Sequence, residues 1–338
     1  MPILYFCMDA LRKFQETIFT VSTDNFEAHA LALFRWQATH NAVYRQYMSQ
    51  LRVSPETVSG IDQIPFLPID FFKQHTVLSV VNTPVEVVFE SSGTTHQQRS
   101  HHHVTDLSYY HRVSQRIFET YFGPLSSYHV LALLPTYLER NNASLVAMAD
   151  HFIQQSASPY SGFYLNDYGA LLQTLSTVAR DERPVLLIGV TFALLRLAEE
   201  YAPDLTDVTI IETGGMKGMR REMIREEVYS VLRQRTGVRS ICSEYGMTEL
   251  LSQAYSKVPT MFRAPAWMKI LIREINDPFA ITEEGAVGGI NVIDLANVHS
   301  CAFIETMDRG KVHGEGLFEV LGRLDNSDIR GCNTMVTA

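Results

Sequence analysis

Four stretches hold residues whose types and spacing can do chemistry. The first, 90–103, reads ESSGTTHQQRSHHH. Its run Ser91-Ser92-Gly93-Thr94-Thr95 follows the β-branched VEVVFE, and a loop of hydroxyls and glycine behind a strand can curl backbone N–H groups around an anion. The plainer alternative is a Ser/Thr-rich surface turn. It is not a Walker A loop, because GxxxxGK followed by Ser or Thr occurs nowhere in the chain. His101, His102 and His103 are adjacent, so in a strand alternate rings leave opposite faces and cannot converge on one metal ion. A solvated or strand-edge cluster is expected.

The second stretch, SEYGMTEL at 243–250, brings together a ring, a hydroxyl and a carboxylate. Tyr245 can pack on a purine, Thr248 can bind phosphate and Glu249 can hold Mg²⁺. Alternatively it is a loop with a buried tyrosine and a helix-capping threonine. In the third, ETGGMKG at 212–218, Gly214 and Gly215 end an apolar run, where open α/β sheets bind ligands. Glycine pairs are also common at ordinary turns. The fourth, 304–332, offers Asp308 for a ribose diol and Arg323 for a phosphate or ribose, or two surface hairpin turns.

The elements that must position these residues are legible as patterns. HVLALLP (129–135), PVLLIGV (184–190) and DVTIIETGG (207–215) are continuous apolar runs, as in strands buried on both faces. Helical spacing falls between them at 106–122, 141–155, 168–180 and 191–202, with an amphipathic helix at 219–234 and a helical segment over 8–58. IDQIPFLPIDFFK, with Pro65 and Pro68, is an extended or irregular connector. Alternating strands and helices predict a mostly parallel α/β sheet, and short runs after Val258 predict antiparallel β. The expected division is an α/β core over 1–258, a β-rich subdomain over 259–325 and a short tail over 326–338.

Bulk properties narrow the function. Apolar residues make up 46% and charged ones 19%, a globular profile. The net charge of −9 argues against a broad electrostatic grip on nucleic acid. The four cysteines are far apart and form no CxxC pair, against a zinc ribbon or disulfide scaffold. Cys301, in SCAFIE, is expected to be buried packing. No basic segment precedes the short apolar start, and no run of about 18 apolar residues occurs, so a cytoplasmic protein without a membrane span is expected.

Taken in order, the small-residue loop, double glycine, YGMTE, Asp308 and GRLD resemble the motifs of adenylate-forming enzymes. His96 replaces a usual glycine after SSGTT, and Met307 stands where TGD has glycine. A narrower resemblance, to the acyl-protein synthetase (LuxE-like) family, runs through LLPTYLERNNASLVAMAD, ETGGMKG, SEYGMTELLSQAYS, NVIDLANVHSCAFIETMD and GRLDNSDIRGC. It implies the N-terminal domain of an adenylate-forming enzyme, with mostly parallel sheets flanked by helices and a β-rich subdomain. It further implies ATP-dependent activation of a long-chain fatty acid to acyl-AMP, transfer to a protein thiol, and delivery to an acyl reductase partner.

Carried over residue by residue, the resemblance puts Ser91, Ser92, Gly93, Thr94 and Thr95 at the triphosphate and Gly214 and Gly215 along the adenine. Tyr245, with Gly246 beside it, would meet the adenine ring. Thr248 would contact phosphate, Glu249 Mg²⁺, Asp308 the ribose, and Arg323 the ribose or phosphate. Adenylate-forming enzymes carry a catalytic lysine on a small mobile C-terminal domain. Residues 326–338 include no lysine, so that domain is expected to be absent or truncated. Lys217 is the candidate for the replacement charge. Cys332, in the RGC context where the family places its acylated cysteine, is the candidate acyl acceptor; a thiolate forms a thioester that keeps the acyl group activated. Tyr137, Gly189, Val190, Thr191 and Phe192, near the ends of buried strands, line an acyl tunnel or, equally, pack the core. Two rivals stay open: an acid–CoA ligase of the phenylacetate type, and a non-catalytic nucleotide- or acyl-binding protein.

Overall fold

Apolar residues at helical spacing form α1 (Phe26–His40) and α2 (Ala42–Leu51), which bury Phe26, Leu33, Phe34, Tyr44 and Met48. Asn41 starts α2 by accepting the Tyr44 N–H at 3.0 Å. The computed structural model describes residues 11–80, 83–91, 98–134, 142–214, 223–258, 260–314 and 316–324. The Pro-rich connector supplies a two-residue strand, β1 (Leu67–Pro68), and a short helix, α3 (Phe71–Gln74). Next come β2 (Val87–Glu90) and β3 (His101–Val104), an antiparallel pair.

The chain divides into two compact units, the first of residues 1–109, 247–252 and 263–338, the second of 110–246 and 253–262. The second unit holds most of α4 (Leu107–Phe122), then β4 (His129–Leu133), α5 (Ser144–Ser156), β5 (Gly162–Phe163) and α6 (Tyr168–Val178). It continues through β6 (Val185–Gly189), α7 (Thr191–Arg196), β7 (Val208–Glu212), α8 (Arg225–Thr236), β8 (Ser240–Tyr245), β9 (Ala254–Val258) and all but the last residue of β10 (Met261–Arg263). Its strands run in the order β5-β4-β6-β7-β8-β9-β10. Pairs from β5 to β8 are parallel, and β9 is antiparallel to β8. Every residue of β4 and β6 is buried, which is why their sequences show no alternation. The helix read at 219–234 is described from Arg225. Glu226 and Glu227 in its first turn and Arg233 and Arg235 in its last complement the helix dipole, and Gly237, at φ +70°, ends it.

The first unit closes with β11 (Met268–Arg273), β12 (Val287–Asp294), β13 (Phe303–Val312) and β14 (Leu317–Arg323), an antiparallel meander. β1 adds to β13 in parallel, an edge position that tolerates Pro68. Gln37 on α1 ties the ends of this unit together, donating to the Asn297 carbonyl at 2.8 Å and accepting the Ala302 N–H at 2.9 Å. Cys301 is fully buried, as its strand-like context indicated. Among the described residues, no helix is long and apolar enough to cross a membrane.

Candidate functional site

In the first unit the neck of the hydroxyl-rich loop is pinned by two reciprocal bonds. The Ser91 N–H donates to the Ser100 carbonyl at 3.1 Å, and the Ser100 N–H donates to Ser91 Oγ at 3.0 Å. The buried Ser100 hydroxyl donates to the Glu249 carboxylate. Two motifs whose meeting residues are 149 positions apart in the chain therefore meet. Burial, then the charge of Asp308, raises the Glu249 pKa, while the Ser100 bond, its own N–H and Lys73 oppose the rise. Asp308 on β13 is the register partner of Arg323 on β14, with Arg323 Nε 3.8 Å from Asp308 Oδ1. Ser92, Gly93, Thr94 and Thr95 lie outside the described residues.

Glu249 is held from behind by the turn after β12. The Asn297 Nδ2 donates to the Glu249 carbonyl at 2.8 Å, and Asn297 Oδ1 accepts the Leu251 N–H at 2.9 Å. Asp294 accepts the N–H groups of Leu251, Ser252 and Ala296 and the Ser252 hydroxyl, at 2.7–3.1 Å. Both side chains are fully buried. The NVIDLAN sequence is thus a clamp on the segment that carries Thr248 and Glu249. A polar residue inside an otherwise apolar strand run, VIDLAN, was the available sign of it.

Of the solvated or strand-edge histidine cluster expected, the structure gives the strand-edge form, β3 pairing with β2 alone among the described strands, with His102 buried and not solvated. Its pairing with Phe89 turns its ring inward between the flanking, partly exposed His101 and His103. The ring is 2% exposed. Nδ1 lies 2.9 Å from the Thr248 carbonyl and Nε2 2.9 Å from Ser300 Oγ. A carbonyl only accepts, so Nδ1 carries the proton and Ser300 donates to Nε2. Burial pushes the ring's pKa down to about 4 from 6.5, against the Thr248 bond. The neutral ring's contribution is complete above pH 6.5 and lost as the pH falls toward about 4, on the order of 3 kcal/mol in all. The stability gap between the wild type and His102→Asn, measured by urea unfolding, is expected to narrow over that window. A gap independent of pH would contradict this.

In the second unit, Glu212 at the end of β7 organises the neighbouring strand ends. It accepts from the Thr191 hydroxyl, from the Gly214 N–H at 2.7 Å and from the Ser243 hydroxyl at 2.8 Å; Tyr229 is 2.7 Å from that hydroxyl. Gly214, at φ +76°, accepts the Thr191 N–H through its carbonyl, a turn that suits glycine. Val190 is fully buried, Gly189 packs closely on Leu194, and Phe192 is partly buried against the same core. Tyr245 is buried, with its ring 5.8 Å from that of Phe262, and Gly246 beside it is exposed. Gly215, Lys217, Tyr137 and Cys332 lie outside the described residues. Glu212 read as the mere end of an apolar strand, and Glu244 as part of a loop motif. Burial and the nearby Glu212 push the Glu244 pKa up to about 8.

Among the described residues, no group of three or more His, Cys, Asp or Glu is placed to hold a metal ion. A single buried carboxylate with a second acidic group nearby fits Mg²⁺, which protein sites bind through one or two carboxylates together with substrate phosphates and water.

Matches to solved structures identify the architecture. The ATP-bound MatB from Rhodopseudomonas palustris matches with a TM-score of 0.54 at 17% identity, over 73% of this chain and 49% of that one. A 2-hydroxyisobutyryl-CoA ligase in complex with R3-HIB-AMP matches with a TM-score of 0.67 at 11% identity, over 90% and 68%. The chain spans about half the length of the MatB structures it matches. No curated protein matches it. The fold is that of the adenylate-forming enzymes. Within that class, the sequence model for "Acyl-protein synthetase, LuxE" matches residues 16–338, and the chain belongs to this family.

Proposed function

We propose that the protein activates a carboxylic acid, a long-chain fatty acid in the family's manner, and passes the acyl group to its own Cys332. A carboxylate oxygen attacks the α-phosphorus of ATP, the bond to the β-phosphate breaks, and pyrophosphate leaves. The Cys332 thiolate then attacks the carbonyl carbon of the acyl-AMP and AMP departs, giving a thioester for an acyl reductase partner. The observation that carries this reading is the Ser91–Ser100–Glu249 junction, which joins the hydroxyl-rich loop to YGMTE beside Asp308.

Ser91 through Thr95 and Thr248 bind the phosphates, Asp308 and Arg323 hold the ribose, and Gly214, Gly215 and Tyr245 receive the adenine. Lys217 supplies positive charge. Glu249 would hold Mg²⁺, which offsets phosphate charge when bound. The likeness to a CoA ligase structure containing CoA favours a second reading, with CoA as acceptor.

The test is intact-protein mass after incubation with ATP, Mg²⁺ and mixed fatty acids. An ATP-dependent acyl adduct is expected that hydroxylamine removes and Cys332→Ser abolishes. AMP release only on adding CoA would replace Cys332 by CoA as acceptor. Absence of both acyl transfer and pyrophosphate release would overturn adenylation itself.

A further inference from the structure

One oxygen of Glu212 serves two donors that lie on different chain segments. Oε1 accepts the Gly214 N–H at 2.7 Å and also the Thr191 hydroxyl. The Thr191 N–H donates in turn to the Gly214 carbonyl at 3.0 Å. Thr191 and Gly214 are thus joined twice, once directly and once through the carboxylate. The strands bring this about: Gly189, Glu212 and Ser243 are register partners at or near the ends of β6, β7 and β8. The Thr213 N–H donates to the Gly189 carbonyl at 3.1 Å, so the segments leaving β6 and β7 are laced at a second point.

The other oxygen is held too. Oε2 accepts the Ser243 hydroxyl at 2.8 Å, and the Tyr229 hydroxyl on α8 lies 2.7 Å from that of Ser243. Arg225 Nε stands 3.9 Å from Oε2, with the guanidinium over the Phe262 ring. Glu212 and Thr191 are each 4% exposed, and Ser243 is fully buried. A buried carboxylate fixed at both oxygens cannot follow one donor without disturbing the others.

We propose that Glu212 is a positioning residue that couples the nucleotide end of the site to the acid end, so that binding of either substrate strengthens binding of the other. This rests on the proposed adenylation, in which Gly214 receives the adenine and Thr191 borders the acid. Adenine seated on the Gly214 turn sets the shared oxygen, and the shared oxygen sets Thr191. The reverse follows by linkage.

The probes are α,β-methylene-ATP with Mg²⁺, which cannot release pyrophosphate, and tetradecanoate, each titrated calorimetrically with and without the other. In the wild type each is expected to bind about five- to tenfold more tightly when the other is present. Thr191→Val keeps the side-chain volume and the N–H but removes the hydroxyl, and is expected to bring that factor close to one. Thr191→Ser is expected to restore it. Glu212→Gln is expected to keep it: its oxygen still accepts from Thr191 and Gly214, and its NH₂ donates to Ser243, whose hydroxyl turns to Tyr229. A role confined to stability would lower the unfolding midpoint of Thr191→Val and leave the factor intact, which overturns the inference. A factor of one in the wild type overturns it as well. In both cases acid-dependent ATP–pyrophosphate exchange by the wild type leaves adenylation standing. Where exchange is seen but the analogue does not bind, the same factor is read from the KM for ATP at low and saturating acid. No binding and no exchange overturns both.

Discussion

Asp294→Ala is expected to lose about 3–5 kcal/mol of stability, a large share of the 5–15 kcal/mol typical of a folded domain. The mechanism is loss of an acceptor, not loss of volume. Asp294 takes the N–H groups of Ser252 and Ala296 and the Ser252 hydroxyl, and shares the Leu251 N–H with Asn297. Without it these donors are left in a fully buried place. Asp294→Asn is expected to fail nearly as badly. Each carboxylate oxygen accepts a backbone N–H, so either orientation of the amide aims its NH₂ at a donor. Equilibrium urea unfolding of both variants checks this; a midpoint and slope like the wild type's would refute it.

Glu249→Gln is expected to lower the rate of pyrophosphate release about a hundredfold at saturating acid, under the proposed function. That corresponds to about 3 kcal/mol, within the several that charge stabilisation supplies in such sites. Glutamine keeps the size of the side chain and an oxygen to accept from Ser100, so the fold and the loop neck are preserved. The negative charge is removed. The Mg²⁺ concentration giving half-maximal rate is expected to rise as well. An unchanged rate and an unchanged Mg²⁺ dependence would remove Glu249 from the metal site.

Much of the fold was legible because burial on both faces leaves a plain mark: β4, β6 and β7 appear as unbroken apolar runs. Antiparallel pairing was read to start after Val258, but β2 and β3 already pair so, and in the large sheet it begins at β9, whose Ala254–Ser256 segment faces β8. The site was legible as motifs and not as geometry. Ser100 gave no sign of reaching Glu249, and NVIDLAN showed only a polar residue in an apolar run and not what it holds, because the partners lie tens to hundreds of positions away. His102 escaped because three identical residues look alike until a strand register gives one of them a buried face. The substrate and acceptor assignments rest on the family resemblance and the proposed chemistry.

The division of the chain into its two units also bears on how the protein is made. Residues 110–246 form most of the second unit and leave the ribosome as one continuous stretch. The first unit is assembled from three separated pieces, and Gln37 waits for Asn297 and Ala302, more than 250 positions later. Contacts of such sequence separation slow folding, since the intervening chain must be ordered before they reward it. The nascent chain can therefore mature one unit while α1 and α2 still expose the faces meant for β13. Glu249 emerges well before Asp294 and Asn297, which fix its loop, so a chain stalled between them carries YGMTE without its clamp. Acquisition of a set Glu249 is a late event in biosynthesis, timed by the arrival of the strand that follows NVIDLAN.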